Sequence, residues 1–320
     1  SYVWLGQVQS DRYELDDAIK TLKKSIELNP DSYNAYSLLM GHHISAGTQV
    51  MLPEEKRDIE LGMKYGDELI RIRGDHGFPY HFKANVYRQL GEFEKAKPLY
   101  EKSIQKRKGL SSEATAYLVS GHNFMFSGDL KTARERYAKA TELTKTADSW
   151  FFLNMYLTYS YIFDNDYLGA IDNISNVERQ LGEKGLDEIT FLQRKGQASW
   201  QKMICYAHNQ MEEDAYNALE EGSALSEKRA RLLNDENTWR NVRSGKLFET
   251  AWVNILFGKY EEAKKNLAAL KEMQEKRNDP TAMYGYSGLM GMTHLMEGNY
   301  QDAVDNFKKG NENNIYFNYF

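Results

Sequence analysis

One pattern of hydrophobic and polar positions recurs along the chain. A small residue stands between two large apolar side chains, one three positions before it and the other four positions after it. Residues three and four apart lie on one face of an α-helix, so each copy predicts an amphipathic helix. The clear copies are Leu15, Ala18 and Leu22; Phe93, Ala96 and Tyr100; Leu130, Ala133 and Tyr137; Tyr167, Ala170 and Ile174; Tyr260, Ala263 and Leu267; Tyr300, Ala303 and Phe307.

A second helical segment precedes each of these helices. Twelve positions before the small residue comes a second one, which predicts that the two helices cross closely there. Five positions before the small residue of the second helix comes glycine or asparagine. Both residue types tolerate the left-handed conformation that ends a helix. The first set is Gly6, Ala84, Gly121, Thr158, Ala251 and Gly291, and the second is Gly91, Gly128, Asn165, Gly258 and Gly298. The repeating unit is therefore a pair of antiparallel helices.

Weaker copies at Gly62 and Ala215 complete the series. The intervals between successive small residues run from 34 residues (Gly62 to Ala96) to 48 residues (Ala215 to Ala263). Repeats of this length are typical of arrays in which each unit packs on its neighbours, and this explains how 320 residues can share one architecture.

The chain here resembles the tetratricopeptide repeat family. The resemblance is carried by the runs Gly91-Glu92-Phe93-Glu94-Lys95-Ala96 and Gly258-Lys259-Tyr260-Glu261-Glu262-Ala263, and by Ser25-Ile26-Glu27-Leu28-Asn29-Pro30 after the first repeat alanine. It implies an all-α fold, a right-handed α-solenoid of about eight repeats in a single domain over 1–320. The expected repeats are 1–30, 31–76, 77–110, 111–147, 148–184, 185–243, 244–278 and 279–320.

Several segments depart from the repeat. About ten extra residues between Ser45 and Glu55 predict a longer turn inside the second repeat, and Ser226–Leu233 is expected to prolong the second helix of the sixth. Pro98 should bend its helix locally, and Pro280 should end one. The aromatic end at 315–320, and a start at Ser1 without Met, suit a segment of a larger protein or a mature form.

Composition narrows the class of protein. The net charge of −5, from 41 Lys and Arg against 46 Asp and Glu, is spread along the chain and does not predict a nucleic-acid surface. The longest apolar stretch, 150–163, is too short to cross a bilayer. The single cysteine, Cys205, excludes an internal disulfide and favours the cytoplasm over the periplasm or export.

The residues show no catalytic or metal-binding motif. Gly285-Tyr286-Ser287-Gly288 lacks the spacing of a nucleophile elbow and is better explained by close helix packing. His42 and His43 point about 100° apart on a helix, so we expect one buried and one exposed side chain, with no metal. Cys205 is expected to be a buried, inert thiol. The run Lys106-Arg107-Lys108 is expected to be a solvated helix end.

The resemblance directs attention to the first helix of each pair, which lines the concave groove in the tetratricopeptide family. The equivalent row in this chain, called here the first-helix row, contains His81, Asn85, Arg88, Leu118, His122, Met125, Met155, Tyr159, Ile162, Trp200, Ile204, Phe248, Trp252 and Ile255. Some relatives clamp acidic C-terminal tails with Lys, Asn and Arg at set groove positions, and only Asn85 of that set is present. The alternative is that the aromatic members of the row are buried core.

The sequence therefore predicts a non-enzymatic scaffold that binds a peptide or helix of a protein partner in the groove, without a cofactor and without membrane insertion. Self-association stays open. A second hypothesis is a regulatory or assembly domain of a larger protein whose catalytic or DNA-binding activity lies elsewhere. A third is an enzyme whose site is formed by the solenoid itself. The groove residues that we expect to matter most are His81, Asn85, Arg88, His122, Met155, Tyr159, Trp200, Phe248 and Trp252.

Overall fold

The computed structural model describes residues 2–44, 50–277, 279 and 281–310. These ranges contain α-helices, one 3₁₀ turn (Glu54–Lys56) and no strand. The helices are α1 (Tyr2–Asp11), α2 (Leu15–Leu28), α3 (Tyr33–His43), α4 (Ile59–Arg73), α5 (Phe78–Gln89), α6 (Phe93–Arg107), α7 (Glu113–Phe126), α8 (Leu130–Leu143), α9 (Ala147–Ile162), α10 (Tyr167–Leu181), α11 (Glu188–His208), α12 (Glu212–Leu233), α13 (Glu236–Leu256), α14 (Tyr260–Glu275), α15 (Tyr284–Met296) and α16 (Tyr300–Phe307).

Helices that follow one another pack in pairs. Tertiary contacts divide the chain into two compact units, unit 1 over 1–160 and unit 2 over 161–320. In unit 1, α1 packs on α2, α3 on α4, α5 on α6 and α7 on α8; in unit 2, α11 packs on α12, α13 on α14 and α15 on α16. The all-α repeat fold predicted from the sequence is confirmed, whereas its description as a single domain stays a prediction.

The small residues of the repeat lie where the paired helices meet. Ala18, Ala96, Ala133, Ala170, Ala215 and Ala263 are fully buried. A Cβ atom added at Gly121 would lie 2.6 Å from the Tyr137 ring, and one at Gly291 would lie 2.6 Å from the Phe307 ring. The close neighbour of the first-helix glycine is therefore the large side chain four positions after the repeat alanine. A side chain on the glycine would have to displace an aromatic ring.

Five of the first helices end in the left-handed residue that was predicted. Gly91, Gly128, Asn165, Gly258 and Gly298 have φ angles between 58° and 85°. In the fourth pair, α7–α8, the residue after the left-handed Gly128 completes the helix end, since the N–H of Asp129 donates to the carbonyl of Phe124 at 2.9 Å. Such bonds satisfy carbonyls that the helix end would leave open.

Two further residues occupy the same turn position. Tyr13 (φ 62°) and Gln210 (φ 59°) each stand five positions before a repeat alanine, Ala18 and Ala215. The sequence analysis missed them because neither residue type favours the left-handed region. The turn geometry is thus common to seven pairs, while its residue type varies.

The second pair closes differently. Arg57, five positions before Gly62, has a φ of −75°, and a longer segment replaces the tight turn. Within its described part, the N–H of Leu52 donates to the carbonyl of His42 at 2.9 Å, and Nε of Arg57 donates to the carbonyl of Leu52 at 2.7 Å. The predicted longer turn is therefore present in residues 50–58, and its positions 45–49 lie outside the described residues.

The sixth pair is longer than the others. As predicted, the run Ser226–Leu233 prolongs α12, which ends where Asn234 turns left-handed at a φ of 49°. The carboxylate of Asp235 then accepts a hydrogen bond from the N–H of Thr238 and starts α13 at Glu236. The expected boundary between 243 and 244 consequently falls inside α13.

Proline positions agree with the helix bounds where these are described. The second helix of the first pair, α2, ends at Leu28, just before Pro30. Pro98 lies inside α6, which continues to Arg107. Pro280 and the aromatic segment 315–320 lie outside the described residues.

Candidate functional site

In unit 1 the first-helix row runs along α5, α7 and α9. His81, Asn85 and Arg88 are spaced by four and three residues on α5, which places them on one helix face. His81 and Asn85 are buried, whereas Arg88 is half-buried. The helix α5 packs on the next first helix, α7, so its row residues lie beside those of α7.

Two polar members of the row contact tyrosines of the second helices. The hydroxyl of Tyr100 donates to Oδ1 of Asn85 at 2.7 Å. Nδ1 of His122 lies 2.8 Å from the hydroxyl oxygen of Tyr137. Burial raises the pKa of Tyr100 to about 12, so its hydroxyl keeps the proton that it donates. Asn85 and His122 therefore satisfy buried hydroxyl groups of the repeat interior.

Both histidines of the row are neutral. Burial is the largest cause that lowers the pKa of His81, to about 3, and the charges of Arg107 and Arg88 lower it further. Burial also lowers the pKa of His122 to about 3, with Arg88 and His81 as the smaller causes. A desolvated imidazole next to a guanidinium favours the uncharged form.

The outer part of the row in unit 1 is aromatic. The ring of Tyr156 lies edge-on to His122 with 4.6 Å between centroids, and Tyr159 lies 6.2 Å from Tyr156. Tyr156 and Tyr159 are half-buried, and Met155 beside them is buried. Phe152, seven positions before Tyr159 and so on the same face of α9, is 41% exposed. The sequence analysis omitted Phe152 and Tyr156, although helical spacing from Tyr159 could have found Phe152.

In unit 2 the row is built from tryptophan and phenylalanine. The Trp252 ring meets the edges of Trp200 and Phe248, with centroids 5.9 and 5.7 Å apart. Trp252 is only 6% exposed and belongs to the hydrophobic core, whereas Trp200 and Phe248 are half-buried. The three side chains were predicted to share one surface. Trp252 instead lies inside the core, and Trp200 and Phe248 lie at the edge of the core.

A polar cavity of about 340 Å³ lies between α12 and α13 of unit 2. It was not foreseen from the sequence, because it depends on the extra length of both helices. Burial raises the pKa of Glu249, one of its lining residues, to about 7. The lining residues are Ser223, Ser226, Arg229, Thr238, Asn241, Val242, Gly245, Lys246 and Glu249.

The other candidates for chemistry lie in the interior. Cys205 is buried, and burial raises the pKa of its thiol to about 12, which makes it a poor nucleophile. The expectation of one exposed histidine was wrong, since both His42 and His43 are buried. His42 contacts the Ser10 hydroxyl and the Val50 carbonyl, and His43 accepts from the N–H of Asp58. The insert of the second pair supplies the last two partners and so covers both rings.

Across residues 2–44, 50–277, 279 and 281–310, no group of three or more His, Cys, Asp or Glu side chains is arranged to hold a metal ion. Nor does any helix in these ranges have the length and apolar character needed to cross a membrane.

Similarity to known proteins agrees with this architecture. The sequence profile described as Tetratricopeptide repeat matches residues 1–32 and 79–105. Among solved structures, the apo form of RapI is similar over 96% of this chain and 84% of its own, with a TM-score of 0.53 and 12% identity. BtubC from P. vanneervenii covers 68% of this chain and 88% of its own (TM-score 0.48, 13% identity), and pilF from Pseudomonas aeruginosa covers 75% and 94% (TM-score 0.46, 11% identity). No curated protein sequence matches the chain.

The fold first defines the class: an all-α repeat protein built from helix pairs. The profile match then identifies tetratricopeptide repeats within the chain, at residues 1–32 and 79–105. Repeats of this family form protein-interaction scaffolds, and the chain has the fold of one. At 12% identity the similarity to RapI supports the fold alone.

Proposed function

We propose that the chain is a non-enzymatic scaffold that binds a peptide or helix of a partner protein through its first-helix row. The observation that carries this proposal is the aromatic part of α9. Phe152, Tyr156 and Tyr159 are half-buried or exposed, although aromatic side chains of this size are normally covered. Amphipathic rings are the side chains that most often dominate protein interfaces.

The partner segment is expected to carry apolar anchors. In unit 1 the exposed edge of the row on α9 offers aromatic rings, and the half-buried Arg88 of α5 lies 5.8 Å from the Phe126 ring of α7. In unit 2 the half-buried Trp200 and Phe248, whose rings contact the buried Trp252, form a second apolar patch. An amphipathic helix or an extended peptide with apolar residues one turn apart would match either patch.

A protein partner also suits the surface charge better than a nucleic acid does. Basic side chains of both units are paired with carboxylates, as Arg136 is with Glu101 at 2.6 Å and Lys264 is with Glu297 at 2.5 Å. Such pairs leave fewer cations to neutralise a phosphate backbone, whose binding requires concentrated positive charge.

Peptides selected from a random display library on the immobilised wild-type protein supply a probe of defined sequence. Tyr159→Ala and Trp200→Ala test the two patches, and Tyr300→Ala is the control, because Tyr300 is an exposed tyrosine on the second helix α16. A selected peptide should bind at least one of the two row variants about ten-fold more weakly or worse, and it should bind the control as it binds the wild type. Unchanged affinity in both row variants would exclude the first-helix row as the binding surface.

A further inference from the structure

The side chain of Arg107 is buried at the end of α6, where the sequence predicts a solvated helix terminus. Lys106 and Lys108 are exposed as expected, but Arg107 is only 1% exposed. The prediction fails at Arg107 because the start of α5 lies against it. A Cβ atom added at Gly77 would lie 2.7 Å from Cγ of Arg107 and 2.7 Å from the carbonyl oxygen of Ser103. The glycine allows the two helices to meet this closely.

Several buried hydrogen-bonding groups in this part of unit 1 have no partner among the described residues. They include Nε, Nη1 and Nη2 of Arg107, Oγ of Ser103 and Nδ1 of His81. Ser103 precedes Arg107 by one helical turn, so the two side chains share a face of α6. Buried polar groups are nearly always hydrogen-bonded, and a guanidinium with all three nitrogens unpaired is a costly exception.

No carboxylate is among the groups that act on the pKa of Arg107. Its guanidinium carbon lies 3.7 Å from the centroid of the Phe78 ring, at the first turn of α5. That first turn contains no acidic residue and has no side-chain cap, so the partial positive charge of the helix terminus is not offset. Burial lowers the pKa of Arg107 to about 10, and the only side chain that opposes this effect is Tyr33. No carboxylate acts on the pKa of His81 either, which burial, Arg107 and Arg88 lower.

We propose that Arg107, Ser103 and His81 form a binding site for a small oxyanion, either a phosphate or a carboxylate group. Oxyanions accept several hydrogen bonds at once, and a guanidinium edge matches two of their oxygens. The start of α5 adds the electrostatic environment in which anions are bound at helix N-termini. Phe78 covers one face of the guanidinium and is itself 40% exposed.

His81 belongs to the first-helix row, but the site as a whole is separate from the apolar patches proposed for partner binding. It stands on α6 and on the first turn of α5, and its ligand is recognised by charge, whereas the patches of α9 and of unit 2 are recognised by apolar contact. Failure of one proposal therefore leaves the other in place.

Thermal melting and calorimetric titration of the full chain test the proposal. Sodium phosphate and sodium acetate are added in separate arms, each against sodium chloride at equal ionic strength, so that the response identifies which oxyanion is bound. A ligand that binds only the folded state raises the melting temperature in a saturable way. We expect one of the two anions to raise it by roughly 2 °C or more, with heat released or absorbed at a single class of site.

Variants locate the response. Arg107→Met should abolish it, and Ser103→Ala, which removes one donor and leaves the charge, should weaken binding about ten-fold. Arg71→Met is the control, because Arg71 is an exposed arginine already paired with Asp31 and Glu68. The proposal is overturned if neither anion gives a saturable response in the wild type. It is also overturned if the response survives in Arg107→Met, or in Ser103→Ala at full strength should Arg107→Met not fold.

Discussion

The same two repeat positions are filled by polar groups in the α5–α6 and α7–α8 pairs of unit 1 and by apolar groups in the α13–α14 pair of unit 2. Eleven positions before the repeat alanine stand Asn85 and His122 in unit 1, and four positions after it stand Tyr100 and Tyr137. Each pair is joined through the tyrosine hydroxyl. In the α13–α14 pair of unit 2, Trp252 and Leu267 occupy these positions and belong to one hydrophobic cluster.

The comparison shows that a position within the repeat does not by itself define a binding residue. A tyrosine in the second helix requires a polar partner in the first helix, because its hydroxyl would otherwise be buried without a hydrogen bond. A leucine at the same place allows a large apolar ring. Asn85, His122 and Trp252 are therefore explained by packing, and the candidates left for partner binding are the less buried Tyr159, Trp200 and Phe248.

The largest loss of stability is expected from a change in the apolar α13–α14 pair. Trp252→Ala should lower the free energy of unfolding by about 3–5 kcal/mol, because it leaves a cavity among buried side chains of the core. Chemical denaturation followed by circular dichroism measures the change. Phe248→Ala at the half-buried edge should cost clearly less. Equal losses for the two variants would remove the distinction between core and edge.

In the polar α7–α8 pair, we expect the contributions of His122 and Tyr137 to stability to be coupled. Tyr137→Phe should cost about 1–2 kcal/mol, since it leaves Nδ1 of His122 without its hydroxyl contact. In a double-mutant cycle with His122→Phe, the two changes should be non-additive by about 1 kcal/mol. Additive losses would mean that the contact contributes nothing to stability.

Much of the fold could be predicted because its signals are local. The repeat alanines, the apolar stripe around them and the turn glycines lie within one helix pair, and each has a fixed spacing. The polar pairing could also have been predicted. Where tyrosine stands four positions after the repeat alanine, Asn85 or His122 stands eleven positions before that alanine. What could not be predicted depends on contacts between segments. Arg107 is buried by the approach of Gly77, while His42 is contacted by Val50 of the insert and His43 by Asp58 just before α4.

The turn residues show a second limit of local reasoning. Tyr13 and Gln210 adopt the left-handed conformation that glycine adopts in four other pairs. The packing of the two helices fixes the turn geometry. The turn residue must therefore adopt the left-handed conformation even where its side chain makes that conformation strained. The geometry is thus a property of the helix pair, which a scan for glycine cannot detect.

The smallest expected effect follows from this strain. Gln210→Gly should raise the free energy of unfolding by about 0.5 kcal/mol, because relief of the left-handed strain slightly exceeds the entropy that glycine loses on folding. The reverse change, Gly128→Gln, should lower it by about 1 kcal/mol. Thermal melts of both variants provide the comparison. A loss of stability in Gln210→Gly would show that the glutamine side chain contributes more than its backbone strain costs.

Site-specific photo-crosslinking shows whether a partner peptide lies on the first-helix row. A photoreactive p-benzoylphenylalanine takes the place of Tyr159 in one variant, and of the exposed Lys131 on the second helix α8 in another. Each is irradiated with a peptide selected on the wild-type protein for binding to the unit 1 patch, as judged by its weaker binding to Tyr159→Ala. The account predicts a crosslink to that peptide from position 159 and none above background from position 131. Equal crosslinking from the two positions, or crosslinking from position 131 alone, would contradict the assignment of the first-helix row as the binding surface.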